Sequence, residues 1–182
     1  MNTIIIDNFF SNFHNIKNEF KKIKLYDFGE YNKMTSNNDS KTIWPGKRSL
    51  YIHNENPFLF NLSLKELFEK WKDVEETPKL EFKTVLHLRL DEDEKKDFIH
   101  YDPDDLTMIV YLSKTNLNSG TAINPDNSDE PETIVKFVQN RCVIFDSKKR
   151  HRSLNNHGTN LDNGRLTLNT FLTIHKEIQW KN

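Results

Sequence analysis

A change of hydrophobic period near residue 79 is the feature that most limits what this chain can fold into. From there on, apolar and β-branched residues occur in short runs separated by polar connections, namely "LEFKTVLHLRL", "LTMIVYL", "TIVKFV", "RCVIFD" and "RLTLNTFLTI". Runs of this length and composition are typical of β-strands. Because no long helical segment connects them, the sequence predicts an antiparallel sheet system, either a sandwich or an open barrel.

The residues before this point predict two strands and two amphipathic helices. The segment "TIIIDNFF" is typical of a strand, and Ser11 then offers an N-cap to "NFHNIKNEFKKIKL", where apolar residues recur at helical spacing. The same spacing recurs in "SLKELFEKWKD". Between the helices, "IWPGKRSLYI" predicts a turn at Pro45 and Gly46 that leads into a short strand.

Length and composition fit one folded unit. A chain of 182 residues with 12% aromatic residues can bury one substantial core. We therefore expect a single domain over residues 1–182. Within it, residues 1–78 would form a buttress of helices and a strand, and residues 79–178 would form the β core.

Charge, cysteine content and the N-terminal sequence indicate the kind of environment and partner to expect. The formal net charge is −1 with both signs interspersed, so the composition does not indicate binding to nucleic acid or to a membrane surface. The single cysteine, Cys142, lies in an apolar run, where we expect a buried hydrophobic residue. No signal peptide is evident, so we expect a cytoplasmic protein. The sequence leaves the oligomeric state open.

The last strand-like run has two different faces. Because alternate residues of a strand point to opposite faces, one face carries leucines, namely Leu166, Leu168 and Leu172. The other face is polar and carries Arg165, Thr167 and Asn169. The N-terminal helices would cover the leucine face. The polar face would then turn inward, and an inward-facing arginine needs an anionic partner.

The segment "IHYD" places His100 and Asp102 two positions apart at the start of a strand-like run. In a chain of this composition, the number of His-x-Asp triplets expected by chance is roughly one half, so the spacing by itself is weak evidence for a metal site. In a strand both side chains point to one face and are suited to bind one metal ion. His151 is the best third ligand, because it follows a strand and a tight "SKKR" connection. Two histidines and one carboxylate make a facial triad.

Other histidines offer alternatives. His157 precedes the last strand and could replace His151, although "NNHGTN" is typical of a loop tip. The pairs His53/Glu55 and His175/Glu177 also have a histidine two positions from a carboxylate. The first lacks a following strand, and the second is too near the C-terminus to be followed by a third ligand and an arginine.

The order of these motifs resembles a known family. The series "IHYD", "TMIVYLS", "NSGTAI", "NRCVIFDSKKRH" and "RLTLNTF" is similar to the iron(II)- and 2-oxoglutarate-dependent oxygenases, most closely the prolyl-hydroxylase-like branch with its small phage and bacterial members. The resemblance covers about residues 80 to 175. It implies a mainly β domain, a double-stranded β-helix (jelly roll) with N-terminal buttressing helices.

The resemblance also implies roles for particular residues. His100, Asp102 and His151 would be the iron ligands, Arg165 would pair with the distal carboxylate of 2-oxoglutarate, and Tyr111 would donate a hydrogen bond to the same carboxylate. The strand faces agree with this, since Thr167 shares a face with Arg165 and would add a hydroxyl. Trp44 and Tyr101 are candidate substrate residues, although aromatic side chains more often simply pack.

The activity implied is that of a dioxygenase using iron(II), 2-oxoglutarate and O2, which hydroxylates a protein side chain or a small molecule and releases succinate and CO2. One alternative is a cupin-like metal dioxygenase that does not use 2-oxoglutarate, in which Arg165 and Tyr111 would lack a purpose. Another alternative is a jelly-roll binding module without activity. The sequence does not identify the primary substrate.

Overall fold

The computed structural model describes residues 2–35, 44–71, 79–93 and 98–175. Its helices are α1 Phe13–Phe20, α2 Phe28–Thr35, α3 Ile52–Glu55 and α4 Pro57–Lys70. Its strands are β1 Ile4–Ile6, β2 Lys47–Arg48, β3 Lys79–Arg89, β4 Leu106–Tyr111, β5 Asn116–Asn124, β6 Thr133–Phe137, β7 Cys142–Asp146, β8 Arg150–Leu154 and β9 Arg165–His175. Residues 94–97 of the charged "DEDEKKD" segment lie outside the described residues.

Two antiparallel sheets face each other. The larger has six strands in the order β1-β7-β4-β9-β3-β2, and the smaller has three in the order β6-β5-β8. Neighbours in sequence are rarely neighbours in a sheet, and β4 pairs with both β7 and β9. This arrangement is the jelly roll that the sequence resemblance implied, so the predicted fold class is confirmed.

The outer face of the large sheet packs against the helices. Alternate residues of β3, β4 and β9 point outward, and most of them are apolar, so that they form one buried layer with helical side chains. This layer includes Leu86, Leu88, Met108, Val110, Leu166, Leu168, Leu172 and, from the helices, Ile16, Phe20, Leu59, Leu67. The predicted packing of helices on the leucine face is therefore confirmed.

The inner face of the same sheet has a different composition. Near β6 and β7 it is apolar, and it joins the small sheet in a second core of Ile109, Tyr111, Ile123, Val135, Phe137, Val143, Phe145. Toward β3 and β8 the facing residues become polar and charged. The space between the sheets is thus a packed core at one end and a polar cavity at the other.

Local sequence explains where α4 begins. The side chain of Asn56 accepts a hydrogen bond from the backbone N–H of Leu59 at 3.1 Å, and Pro57 occupies the first turn. An Asx cap followed by proline is a common helix start, because proline lacks the N–H that would otherwise be unpaired there. No helix in the described part of the chain has the length and apolar character of a membrane-spanning segment.

The five predicted strands of the C-terminal half are all present, and the structure adds four elements that we did not predict. These elements are β5, β8, α2 and α3. Gly120 and Thr121 both lie inside β5. A Cβ atom at Gly120 would collide with the carbonyl of Val135, so glycine allows close pairing of β5 with β6.

The N-terminal segment does more than cover the sheet. It contributes β1 and β2, which form the two edges of the large sheet. The turn at Pro45 and Gly46 leads into β2 as predicted, and Arg48 of β2 pairs with His87 of β3. The N-terminal segment therefore contributes side chains to both faces of the sheet.

Asn140 fastens the N-terminal segment to the sheet. Its backbone has a positive φ of 62°, a conformation that asparagine tolerates better than most residues. Its side-chain oxygen accepts from the N–H of Phe10 at 2.8 Å, and its amide donates to the carbonyl of Phe10 at 3.0 Å. One buried side chain thus satisfies two backbone groups of a distant segment.

We expect Asn140→Ala to lower the free energy of unfolding by about 2–4 kcal/mol, because two buried backbone groups of Phe10 lose their partners. Urea denaturation measures the change. Asn118→Ala, at an exposed position, serves as the control and should stay within about 0.5 kcal/mol of the parent. A loss below about 1 kcal/mol for Asn140→Ala would show that the two bonds do not fasten the segment.

Candidate metal centre

A cavity of about 550 Å³ lies at the polar end of the space between the sheets. Five parts of the chain line it: the inner face of the large sheet, Thr121 of β5, strand β8, the segment 98–103 and described residues between 31 and 48. This volume is in the usual range for small-molecule sites. The cavity is therefore large enough for a small ligand.

Two backbone hydrogen bonds bring His100 and His151 together. The N–H of His100 donates to the carbonyl of His151 at 3.0 Å, and the N–H of His151 donates back to His100 at 2.9 Å. Residues paired in this way point their side chains to the same side, and Asp102 follows at the next position on that side. One potential ligand atom from each of the three residues lies within 4.8 Å of the others. We call these three residues the ligand cluster.

The ring orientations in the ligand cluster are set by backbone carbonyls. The Nδ1 atom of His100 lies 2.9 Å from the carbonyl of Phe98, and that of His151 lies 2.9 Å from the carbonyl of Lys149. A carbonyl accepts only, so both Nδ1 atoms must carry the proton. Each Nε2 atom then faces Asp102, at 3.8 Å from His100 and 3.2 Å from His151. This is the usual orientation of metal-binding histidines.

Asp102 is held as a carboxylate. Burial opposes its ionisation, but the hydrogen bond and charge of His151, the hydrogen bond from Thr107 and the charge of His100 together keep its pKa below the usual value. The Thr107 hydroxyl donates to Oδ2 at 2.6 Å and lies 2.8 Å from the hydroxyl of Ser147. The carboxylate is thus both ionised and fixed in orientation.

Three arginines approach one buried histidine on the inner face of the large sheet. Arg48 lies opposite His87 across the β2–β3 pair, and Arg89 lies opposite Arg165 across the β3–β9 pair. His87 donates from Nε2 to the carbonyl of Pro45 at 2.7 Å. Burial, and next the charges of the three arginines, hold the pKa of His87 well below its usual value. We call Arg48, Arg89 and Arg165 the arginine cluster.

The residues expected to hold 2-oxoglutarate lie at the inner end of the cavity. Arg165 is 2% exposed, donates from Nη2 to the carbonyl of Gly120 at 3.1 Å and lies over the ring of Phe137. The Tyr111 hydroxyl donates to the Thr121 hydroxyl at 2.9 Å, and Thr121 lines the cavity. Arg165 and Tyr111 themselves are not among the described lining residues. They lie next to the cavity rather than in its wall.

Thr167 differs from the other two residues in its contacts. Its side chain is fully buried, and its hydroxyl donates to the backbone carbonyl of His87 at 3.3 Å. It shares the inner face of β9 with Arg165, as the alternation of the strand predicted. This hydrogen bond joins β9 to β3.

The two candidate substrate residues both line the cavity. Trp44 makes edge contacts with Tyr31 and with His87, and the guanidinium of Arg48 stacks on its ring at 4.6 Å. Tyr101 is 56% exposed and lies between His100 and Asp102 in the chain. Trp44 is therefore part of a fixed wall, whereas Tyr101 lies at the opening.

The alternative histidines do not join the ligand cluster. His157 packs its ring edge-on against Phe137 at 5.2 Å, and burial followed by the charge of Arg165 lowers its pKa. His53 stacks on Tyr51. His175 lies 3.1 Å from Glu81 at an exposed position. Within the described ranges, His100, Asp102 and His151 form the only cluster of three such ligands.

Among the charged residues that line the cavity, sequence reasoning missed three, all of them arginines. These are Arg48, Arg89 and Arg152. Arg89 is 1% exposed and donates from Nη1 to the Ser153 hydroxyl at 2.7 Å. The alternation of "LHLRL" would have placed Arg89 on the same face as His87. The pairing of β3 with β9, however, was needed to place Arg89 beside Arg165.

We expect NMR of the ring nitrogens, at mildly alkaline pH, to show a proton on Nδ1 of both His100 and His151, because each Nδ1 faces a carbonyl. His87 is an internal control: its proton should be on Nε2, which faces the carbonyl of Pro45. An unprotonated Nδ1 on His100 or His151 would contradict the ring orientations described above.

Comparison with known proteins supports the fold. No family model matches the sequence, and no curated protein matches it significantly. Among solved structures, EvdO2 from Micromonospora carbonacea var. aurantiaca aligns with a TM-score of 0.68 and 11% identity, over 99% of this chain and 89% of its own.

Two further structures illustrate the range of proteins with this fold. HygX from Streptomyces hygroscopicus, solved with nickel, 2-oxoglutarate and hygromycin B bound, aligns with a TM-score of 0.60 and 12% identity, over 98% of this chain and 85% of its own. A viral collagen prolyl hydroxylase from Paramecium Bursaria Chlorella virus-1 aligns with a TM-score of 0.55 and 13% identity, over 96% and 90%. This chain therefore has the jelly-roll fold of the 2-oxoglutarate-dependent enzymes that its sequence resembles.

Proposed function

We propose that the protein is an iron(II)- and 2-oxoglutarate-dependent dioxygenase that hydroxylates a protein side chain or a small molecule, with succinate and CO2 as co-products. The observation that carries the proposal is the ligand cluster, together with a buried arginine and tyrosine beside the same cavity. The fold, shared with structures that contain 2-oxoglutarate, supports it.

The ligand cluster fits iron(II) by its donor chemistry. Two imidazole nitrogens and one carboxylate oxygen form the set found in non-haem iron oxygenases, and such a set leaves coordination positions for other ligands. His100 and His151 direct Nε2 toward a common point near Asp102, while their Nδ1 atoms are held by backbone carbonyls. Bound iron(II) would supply the redox chemistry that couples oxidation of 2-oxoglutarate by O2 to oxidation of the substrate.

The chain's own residues would bind and orient the cosubstrate. The Arg165 guanidinium provides a buried positive charge for the distal carboxylate, and a charge-assisted hydrogen bond of this kind is stronger than a neutral one. Burial raises the pKa of Tyr111, so its hydroxyl keeps its proton and can donate. Thr107 would hold the Asp102 carboxylate in one orientation throughout.

The class of primary substrate stays part of the proposal. The structural neighbours include a protein named as a collagen prolyl hydroxylase and one with the small molecule hygromycin B bound, so both protein and small-molecule substrates are compatible with the fold. Trp44 and Tyr101 would contact the substrate, since both line the cavity that also contains the ligand cluster.

We expect His100→Ala or His151→Ala to abolish stoichiometric iron(II) binding, because each removes one of three ligands. Both histidines line the cavity and neither belongs to the two apolar cores, so the circular dichroism spectrum should be preserved. Anaerobic calorimetry with iron(II) measures the binding. His157→Ala is the matched control and should bind iron(II) like the parent. Loss of iron in His157→Ala but not in His151→Ala would overturn the choice of third ligand.

We expect Arg165→Leu to weaken 2-oxoglutarate binding by at least about tenfold, since a charged hydrogen bond contributes roughly 1.5–3 kcal/mol. Metal affinity without cosubstrate should barely change, because Arg165 is not in the ligand cluster. Titration of metal-free protein with manganese(II) measures the metal affinity, and titration of the manganese(II)-loaded protein with 2-oxoglutarate measures the affinity for the cosubstrate. Equal binding by Arg165→Leu, or no binding by the parent with a full metal site, would favour the cupin-like dioxygenase or the binding module instead.

A further inference from the structure

Two buried hydroxyl groups lie in a row behind the carboxylate of the ligand cluster. Thr107 is on β4, and Ser147 follows the end of β7. The Thr107 hydroxyl donates to Oδ2 of Asp102 at 2.6 Å, and the Ser147 hydroxyl lies 2.8 Å from that of Thr107. Thr107 is 2% exposed and Ser147 is 0% exposed, so protein groups rather than bulk water must satisfy the two hydroxyls.

This row of hydrogen bonds has one direction. A hydroxyl has a single proton to donate, but it can accept through two lone pairs. A carboxylate only accepts, so the proton of Thr107 is used in the bond to Asp102. The Ser147 hydroxyl must then donate to Thr107. The two hydroxyls act in series, and we call Ser147 and Thr107 the hydroxyl relay.

Ser147 also belongs to a short segment that supports two of the three potential metal ligands through its backbone. The carbonyl of Ser147 accepts from the N–H of Asp102 at 3.0 Å. Two residues later, the carbonyl of Lys149 lies 2.9 Å from Nδ1 of His151. Ser147 is therefore linked to Asp102 twice, directly through the backbone and indirectly through the side chain of Thr107.

We propose, on the basis of the proposed function, that Ser147 is a positioning residue for the metal ion and acts through the hydroxyl relay. Its hydroxyl orients the Thr107 hydroxyl, which in turn fixes the Asp102 carboxylate in the orientation that binds the ion. Groups that hold a metal ligand by hydrogen bonds affect metal affinity although they do not touch the metal. Ser147 would thus control the metal site from a fully buried position behind it.

The opposite face of the same sheet offers a matched control. The hydroxyls of Thr84 on β3 and Thr170 on β9 lie 3.1 Å apart, and each residue is 1% exposed. These residues share their face with Leu86 and Leu168, which pack against the helices. Thr84→Val therefore removes one hydroxyl from a buried pair, as Thr107→Val does, but on the side of the sheet away from the ligand cluster.

The first test measures the manganese(II) affinity of the full chain by calorimetry. Thr107→Val should weaken binding by at least about tenfold, the usual effect of losing a group that holds a metal ligand. Ser147→Ala should weaken it by a smaller factor, because Thr107 keeps its proton and loses only the group that orients it. Thr107→Ser keeps the hydroxyl and should recover most of the affinity. Thr84→Val should bind manganese(II) like the parent.

The absorption spectrum of the cobalt(II)-loaded protein separates positioning from general stability, because it reports the arrangement of the ligands around the ion. It should change in Thr107→Val and return to that of the parent in Thr107→Ser. Thr84→Val should lower the melting temperature and leave the spectrum unchanged.

The second test uses metal-free protein and examines the direction of the relay. NMR of the parent should show slowly exchanging hydroxyl protons for both Thr107 and Ser147, because both are buried donors. Ser147→Ala should keep the Thr107 signal, since Thr107 donates to Asp102. Thr107→Val should remove the Ser147 signal, since Ser147 loses its acceptor. Loss of the Thr107 signal in Ser147→Ala would show that Thr107 donates to Ser147, and it would overturn the proposal.

The two tests also separate the proposal from the proposed function. A parent that binds no manganese(II) would contradict the proposed function, and the hydroxyl signals would then decide whether the relay orients Asp102. If the parent binds the metal, parent-like affinity in either Thr107→Val or Ser147→Ala overturns the proposal, and so does an equal loss of affinity in Thr84→Val. If Thr107→Val does not fold, Ser147→Ala decides alone: weaker metal binding with the Thr107 signal retained supports the proposal.

Discussion

The pair of backbone hydrogen bonds between His100 and His151 is the interaction on which the candidate site depends. The two residues are distant in sequence, and these bonds place them side by side with their rings on one side of the chain. A further hydrogen bond, from the N–H of Asp102 to the carbonyl of Ser147, fixes the backbone of Asp102 beside them. The backbone thus sets the positions of all three residues before any ligand binds, which is the kind of preorganisation that metal sites require.

The two faces of the large sheet explain how this polar site exists inside a small protein. Leucines on the outer face of β9 pack against the helices, and so do outward residues of β3 and β4. Because that layer supplies apolar burial, the inner face can hold buried arginines and threonines without loss of the fold. Because adjacent residues of a strand point to opposite faces, Leu166 packs against the helices while its neighbour Arg165 faces the polar site.

Much of the fold followed from the sequence because strand alternation is a local pattern. The residues of the ligand cluster were predicted from the order of the motifs and from their resemblance to a known family. Strand alternation placed Leu168 outward and Arg165 inward, and the structure agrees. Strand β8 was missed because "RHRSL" is polar, and its position depends on pairing with β5 rather than on hydrophobicity. Arg89 was missed for a related reason, since its position opposite Arg165 is set by strand register between distant segments.

The central claim is that the ligand cluster and Arg165 form one site for a metal ion and 2-oxoglutarate. Calorimetric titration of 2-oxoglutarate into the parent protein, with manganese(II) and after its removal by a chelator, tests this claim most directly. The account predicts one molecule of 2-oxoglutarate bound per chain with the metal present. Without the metal, binding should be at least about tenfold weaker, because 2-oxoglutarate would bind directly to the metal ion. Binding of equal strength in both samples, or none in either, would contradict it.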